Sequence, residues 1–232
     1  MIKIFIFGIT GKMGKSILNF LKLNKIFNLL GGINKKNSLN LFKNKYNLIF
    51  KNMSKNSILI DFSNFNLLKK ILLISFFFKI PLIIGTTGLN IVLLNYIKYV
   101  SLYVSILLSY NMSIGLNLIN YFLSNLNIYL KIYNFNSFIL DIHHDKKIDS
   151  PSGTSLMIFS KIKNINKNIF SIRIKNIIGN HVIYLISNNE IIKIEHLILN
   201  RNIFILGIFY SILWLLNKKK GCFSMYDIYF LC

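Results

Sequence analysis

A chain of 232 residues can bury a sizeable core as one large domain or two modest ones. It carries 28 Lys and Arg against 7 Asp and Glu, a net charge of +21, but the excess is nearly all Lys in short scattered runs, with Arg only at Arg173 and Arg201. That pattern argues against specific nucleic-acid binding and for a field that draws in small anions, and the lack of Ala and Gln marks A- and T-rich codon drift as a source of the Lys.

The N-terminus opens on a strand-like run, Ile2–Phe7, with no charged-then-apolar leader pattern, so a cytoplasmic protein is expected. Lys12–Leu23 reads as a helix, Asn28–Ile33 and Ile58–Phe62 as strands, and Asn64–Phe78 as a helix capped by Ser63. Pro81–Ile84 is a short buried strand that leaves through the turn Gly85-Thr86-Thr87-Gly88, and Tyr103–Leu107 is the next strand. Strand–helix alternation of this kind predicts a parallel, doubly wound sheet covered on both faces.

Tyr99–Leu130 holds no charged residue, and its length would allow a membrane span. Its many Ser and Asn residues, and the turn-like Ser109–Gly115, fit a buried strand followed by a helix better, so no membrane association is expected. A helix over about Ile114–Leu130 then leads to a strand, Ser137–His143, and a short helix opened by Pro151. Strands dominate next, at Phe170–Lys175, His181–Ser187 and Glu190–Ile198, the last two joined by a tight Asn-Asn turn. Asn202–Asn217 reads as a closing helix with Gly221 as its stop. The expected organisation is a Rossmann-type α/β domain over residues 1–112, a smaller α+β substrate-binding and oligomerisation domain with an open mixed sheet over 113–201, and a return to the first domain over 202–232. The two cysteines, Cys222 and Cys232, have no metal-ligand spacing and imply a reducing compartment.

Gly8-Ile9-Thr10-Gly11-Lys12-Met13-Gly14 follows a strand and opens a helix. Glycines there let the backbone turn tightly and approach a pyrophosphate, while helix N–H groups face its charge. An ordinary tight turn is the alternative reading of the loop alone. Where an acid would hold the adenosine ribose, the chain has Asn34, Lys35 and Lys36. The lysines suit a 2′-phosphate, or are simply solvated, so the cofactor is left as NADPH or NADH.

Asp141-Ile-His143-His144-Asp-Lys-Lys147-Ile-Asp149-Ser-Pro151-Ser152-Gly153-Thr154 is the most informative stretch. Two histidines and a lysine stand before a Pro-Ser-Gly-Thr helix start, where Pro suits the first helical position and the N–H groups of Ser152–Thr154 form an anion site. Such a cluster can grip a carboxylate and donate a proton. Histidines without chemistry are the alternative; His143, His144 and Asp145 are poorly spaced as metal ligands, and no metal is expected.

This segment resembles the signature of the 4-hydroxy-tetrahydrodipicolinate (dihydrodipicolinate) reductase family. Other blocks resemble that family in order: Gly8–Gly14, Asp61-Phe62-Ser63, Gly85–Gly88, Asn111-Met112-Ser113-Ile114-Gly115, Ile178-Gly179-Asn180-His181, and Ile194-Glu195-His196 through Arg201. The resemblance implies NAD(P)H over Gly8 to Met13, with Gly85, Thr86, Thr87, Ser109, Tyr110, Asn111 and Met112 on the nicotinamide side. It implies His143 and Lys147 as proton-donor candidates, and His144 with Gly153 and Thr154 as binders of a substrate carboxylate. His181 and His196 read as structural, and a homotetramer joined through the substrate-domain sheets is expected. The chain departs from the family in a short Lys161–Lys167 connection, in Asn34 and in Ser150. A decayed nucleotide-binding relative is the competing reading.

Overall fold

The computed structural model describes residues 1–34, 44–53, 56–163, 165–200 and 202–229. In chain order these form β1 (Ile2–Phe7), α1 (Lys12–Leu23), β2 (Phe27–Ile33), α2 (Asn44–Lys51), β3 (Ser57–Asp61), α3 (Phe65–Phe78), β4 (Leu82–Ile84), α4 (Ile91–Ser101) and β5 (Ser105–Leu108). There follow α5 (Ile114–Ile132), β6 (Asn136–His143), α6 (Gly153–Lys161), β7 (Lys167–Arg173), β8 (Asn180–Ile186), β9 (Ile191–Leu197), α7 (Asn202–Leu215), β10 (Gly221–Phe223) and α8 (Met225–Tyr229). The chain divides into two units, Met1–Met112 with Phe204–Cys232, and Ser113–Ile203.

In the first unit the strand order is β10-β5-β4-β3-β1-β2, and every pairing is parallel. β1 explains the architecture. Successive side chains of a strand point to opposite faces, and both faces of β1 are apolar. Phe5 and Phe7 enter one core with Phe50, Leu59 and Leu68, while Ile4 and Ile6 enter another with Ile17, Ile58 and Ile212. A strand like this is stable only at the centre of a sheet covered by helices on both sides. The strand order reverses between β1 and β3, which is where doubly wound sheets open a crevice at the carboxyl ends of their strands.

The second unit is a four-stranded sheet, β7-β6-β8-β9, with β6 and β7 parallel and the other pairs antiparallel. Alternation along β6 buries Ser137, Ile139, Asp141 and His143 on one face. That face belongs to a core with Leu116 and Leu123 of α5 and Ile158 of α6. The other face carries Phe138 stacked on Tyr184 at 4.5 Å and edge-on to the exposed Phe170.

Several local expectations give way. Asn64, not Ser63, caps α3 by accepting from the Leu67 N–H, because Ser63 is turned back onto Asp61. Pro151 is not the first helical residue: Ser152 is the cap and α6 begins at Gly153. Gly221 does not stop a helix; α7 ends at Leu215, and Gly221, at φ +133°, opens an edge strand paired with β5. α2 and α4 have no counterpart among the predicted elements. The uncharged stretch resolves into the end of α4, β5 and α5, and no helix among the described residues is long and apolar enough to cross a membrane.

α7 packs tightly against the end of the 1–112 segment. A Cβ on Gly207 would lie 1.8 Å from the Met112 carbonyl oxygen, a backbone atom with no room to yield. Gly207→Ala is therefore expected to destabilise the first unit by about 1–3 kcal/mol or more, read as a lowered thermal midpoint; an unchanged midpoint would mean that the approach of α7 to Met112 is wrong.

Candidate active site

β1, β2, β4 and β5 end at Phe7, Ile33, Ile84 and Leu108, so the four predicted cofactor segments all leave the same edge of the parallel sheet. Gly8 adopts φ +83°, and a Cβ on it would sit 2.3 Å from the Phe62 carbonyl oxygen. A Cβ on Gly14 would sit 2.3 Å from the Gly8 oxygen. The loop can wind this closely only without side chains at these positions. The Gly11 cap of α1 makes no side-chain bond, which leaves first-turn N–H groups for an outside acceptor. A cleft of about 210 Å³ is lined there by Gly8, Thr10, Gly11, Ile33, Asn34, Phe62 and Ser63. These residues fit a dinucleotide phosphate. Ile9 and Met13 pack partly buried on the core, and Lys12 is exposed at the first position of α1. Lys35 lies outside the described residues, as does Arg201.

Asp61, fully buried at the end of β3, fixes the neighbouring turn. It accepts from the Ser63 N–H at 2.9 Å, the Ser63 hydroxyl at 2.5 Å and the Thr86 hydroxyl at 2.8 Å. Burial pushes its pKa up against the pull of those bonds. Gly85 and the exposed Thr87 flank Thr86 in that turn. The Ser109 hydroxyl donates to the Asn111 carbonyl at 2.8 Å; Ser109, Asn111 and Met112 are buried, and Tyr110 is exposed.

In the second unit the structure gathers its polar groups around Asp141, which has no solvent exposure. Oδ2 accepts from the Ser152 N–H at 2.8 Å, and Oδ1 from the Ser152 and Ser155 hydroxyls at 2.7 and 2.9 Å. Arg173 Nη2 approaches Oδ2 at 3.3 Å, while its fork also donates to the Asp141 and Asp149 carbonyls at 3.0 and 2.7 Å. His143 Nδ1 stands 2.9 Å from Oδ1, though its N–H is not squarely aligned, as is common before a substrate tightens such a contact. Burial alone would raise the Asp141 carboxyl, but bonds from His143, Ser152 and Ser155 outweigh it and hold the group well below the usual carboxylate range.

His181 lies across the strand pair, its Nε2 3.7 Å from Asp141. Burial, then the charge of His143, pushes its pKa down to about 3 despite Asp141, so it is neutral at physiological pH. His196 stacks beyond it and shares a 3.1 Å bond with Ser113, the cap of α5. Lys147 donates its backbone N–H to the His144 carbonyl and pairs through Nζ with both Asp149 oxygens at 2.8 and 2.9 Å. The anion site is narrower than expected, because the Ser152 N–H is taken by Asp141 and the Gly153 N–H turns to the Asp149 carboxylate; Thr154 is half-buried in the first turn of α6. One carboxylate oxygen and two ring nitrogens of Asp141, His143 and His181 lie within 4.8 Å of one another. Asp141 already answers Arg173 and two serines, which suits proton handling better than a cation.

Sequence alone assigns no role to Asp141 or Arg173, and to Ser152 only a share in the anion site. Asp141 stands two residues before His143 and so on its face of β6, a signal available from strand periodicity. Arg173, one of two Arg in a Lys-rich chain, was a compositional signal.

The family model described as dihydrodipicolinate reductase, N-terminus, matches residues 2–112, and the one described as dihydrodipicolinate reductase, C-terminus, matches residues 115–229. The chain belongs to the dihydrodipicolinate reductase family. It is 34% identical to a 4-hydroxy-tetrahydrodipicolinate reductase of Rickettsia rickettsii, with 99% of each chain covered. It is 36% identical to the enzyme of that name from Wigglesworthia glossinidia brevipalpis, with 98% of this chain and 92% of that one covered. A dipicolinate-bound dihydrodipicolinate reductase from Paenisporosarcina sp. TG-14 shares the fold with a TM-score of 0.74 at 20% identity, over 98% of both chains. An aspartate dehydrogenase from Thermotoga maritima shares it more distantly, with a TM-score of 0.53 at 12% identity, over 95% of this chain and 99% of that one.

Arg173 makes a fan of bonds that an ammonium cannot reproduce. Arg173→Lys is expected to destabilise the second unit by about 1.5–3 kcal/mol, read by thermal or urea unfolding. Wild-type stability in that variant would show that the fork contributes nothing.

Proposed function

We propose that the chain catalyses the NADPH- or NADH-dependent reduction of 4-hydroxy-tetrahydrodipicolinate to tetrahydrodipicolinate, a step of diaminopimelate and lysine biosynthesis, in the cytoplasm. The observation that carries this reading is the meeting of His143 and the start of α6 at one buried carboxylate, with His144 and Lys147 following on the same segment, in a chain that matches both halves of the reductase family.

The nicotinamide, when bound, supplies a hydride to the ring carbon conjugated to the substrate's imine. Gly8 to Met13 and Asn34 hold the dinucleotide, with Gly85 to Thr87 and Ser109 to Met112 on the nicotinamide side. Gly153 and Thr154 present the N-terminal end of α6 to a substrate carboxylate, and His144 adds a donor; such helix ends favour anions. His143 and Lys147 are the proton donors. Lys147 is oriented by Asp149 until a substrate anion competes for it, and the net charge of +21 draws dicarboxylates toward the protein. The aromatic face formed by the exposed Phe170 and the half-buried Phe138 and Tyr184 supports assembly through this sheet into a homotetramer.

The test follows nicotinamide absorbance after purified protein meets the fresh condensation product of pyruvate and aspartate semialdehyde. Substrate-dependent oxidation is expected, and a folded protein that binds NADPH without turnover would instead be a decayed relative. His143→Ala and Lys147→Ala are each expected to lower kcat by about 10²–10⁴-fold; turnover untouched by both would remove these roles.

A further inference from the structure

We infer that Asp141 is the positioning residue of this site: it fixes His143 with its proton on Nδ1 and joins that ring to the start of α6, so that proton donor and anion-binding turn are set by one carboxylate. The inference rests on the reductase reading for its kinetic consequences but not for its geometry.

Asp141 and His143 are two apart on β6, so their side chains leave the same buried face of the sheet. The Asp141 carboxylate has two edges in use. One bonds the Ser152 N–H at the cap of α6 and meets the Arg173 fork from β7. The other takes the Ser152 and Ser155 hydroxyls and faces His143 Nδ1 at 2.9 Å. An ionised carboxylate only accepts, so it holds a ring that presents Nδ1–H and disfavours the opposite tautomer.

The groups around it reinforce that choice. Arg173, Ser152 and Ser155 supply donors that keep the carboxylate charged, and neutral His181 from β8 stands 3.7 Å from Oδ1 without competing as a cation. Lys147 is directed to Asp149 and not to Asp141. With Nδ1 committed, Nε2 is the nitrogen left to carry and release a proton. Room beside it depends on Gly179, where a Cβ would come within 2.9 Å of Nε2 and 3.1 Å of Ile198 Cδ1. In turnover the proton on Nε2 passes to the reduced substrate, the neutral ring keeps Nδ1–H against Asp141, and solvent reprotonates Nε2.

Asp141→Asn keeps volume and a hydrogen-bonding edge but loses the charge, and its amide can donate to Nδ1. The decisive readout is the His143 tautomer, from two-bond ¹H–¹⁵N spectra of the full-length labelled protein. The wild type is expected to show Nδ1–H in its neutral ring. Asp141→Asn is expected to shift His143 toward Nε2–H and to lower kcat by about 10⁴-fold, the scale seen when an orienting aspartate is made an amide in a Ser-His-Asp triad, with dinucleotide affinity unchanged. Asp141→Glu, which restores the charge, is expected to restore the Nδ1–H tautomer and part of kcat. Nε2–H in the wild type overturns the inference even if no variant folds, as does a folded Asp141→Asn with wild-type kcat and tautomer. If the tautomer switches while the wild type turns over no substrate, the positioning role stands and the reductase reading falls.

Discussion

A charged carboxylate sealed from water is tolerated only when hydrogen bonds and an opposite charge replace its hydration. Asp141 meets that condition with donors from three places in the chain: its own strand, through His143; the start of α6, through Ser152 and Ser155; and β7, through Arg173. The dependence is mutual. Removing one partner of a buried charge commonly costs about 3–5 kcal/mol, so the strand end, the helix start and the parallel neighbour are held in register by the same group that orders the candidate chemistry.

The dinucleotide unit obeys a different constraint, close backbone approach. β1 runs through the centre of a sheet apolar on both faces, and its exit must turn at once into α1. Gly8 and Gly14 allow this because any side chain there would overlap backbone oxygens of Phe62 or of the loop itself. The carboxyl ends of parallel strands lie along one edge, so loops distant in sequence, at Gly8, Asn34, Gly85 and Ser109, become neighbours along it without specific pairing signals. Asp61 then pins the Thr86 turn to the end of β3.

Much of this was legible in the sequence. β1 and α1 fall on their expected bounds, Ile2–Phe7 and Lys12–Leu23, because an all-apolar run followed by a glycine loop admits few other readings. α4 was missed because its residues are apolar nearly all round and show little helical stripe, although Asn90 caps it by accepting from Leu93. β10 was missed because a three-residue edge strand is defined by its partner β5 rather than by its own pattern. The site shows the same division. His143, His144, Lys147 and the Pro-Ser-Gly-Thr start stand in one local motif, whereas the work of Asp141 depends on Ser152 and Arg173, 11 and 32 residues away. Local spacing could place Asp141 on the face of His143 but could not reveal the donors that close around it.

The most direct test of this account is the ionisation of Asp141 itself, followed through its side-chain carboxyl ¹³C shift as pH is lowered in the folded protein. A folded pKa held below the unfolded one stabilises the fold above the ordinary aspartate range, near 3.9, and that stability fades as pH falls below it. The account predicts a carboxylate still ionised at the lowest pH at which the protein stays folded. A carboxyl that titrates in the ordinary aspartate range, with the fold intact, would contradict it.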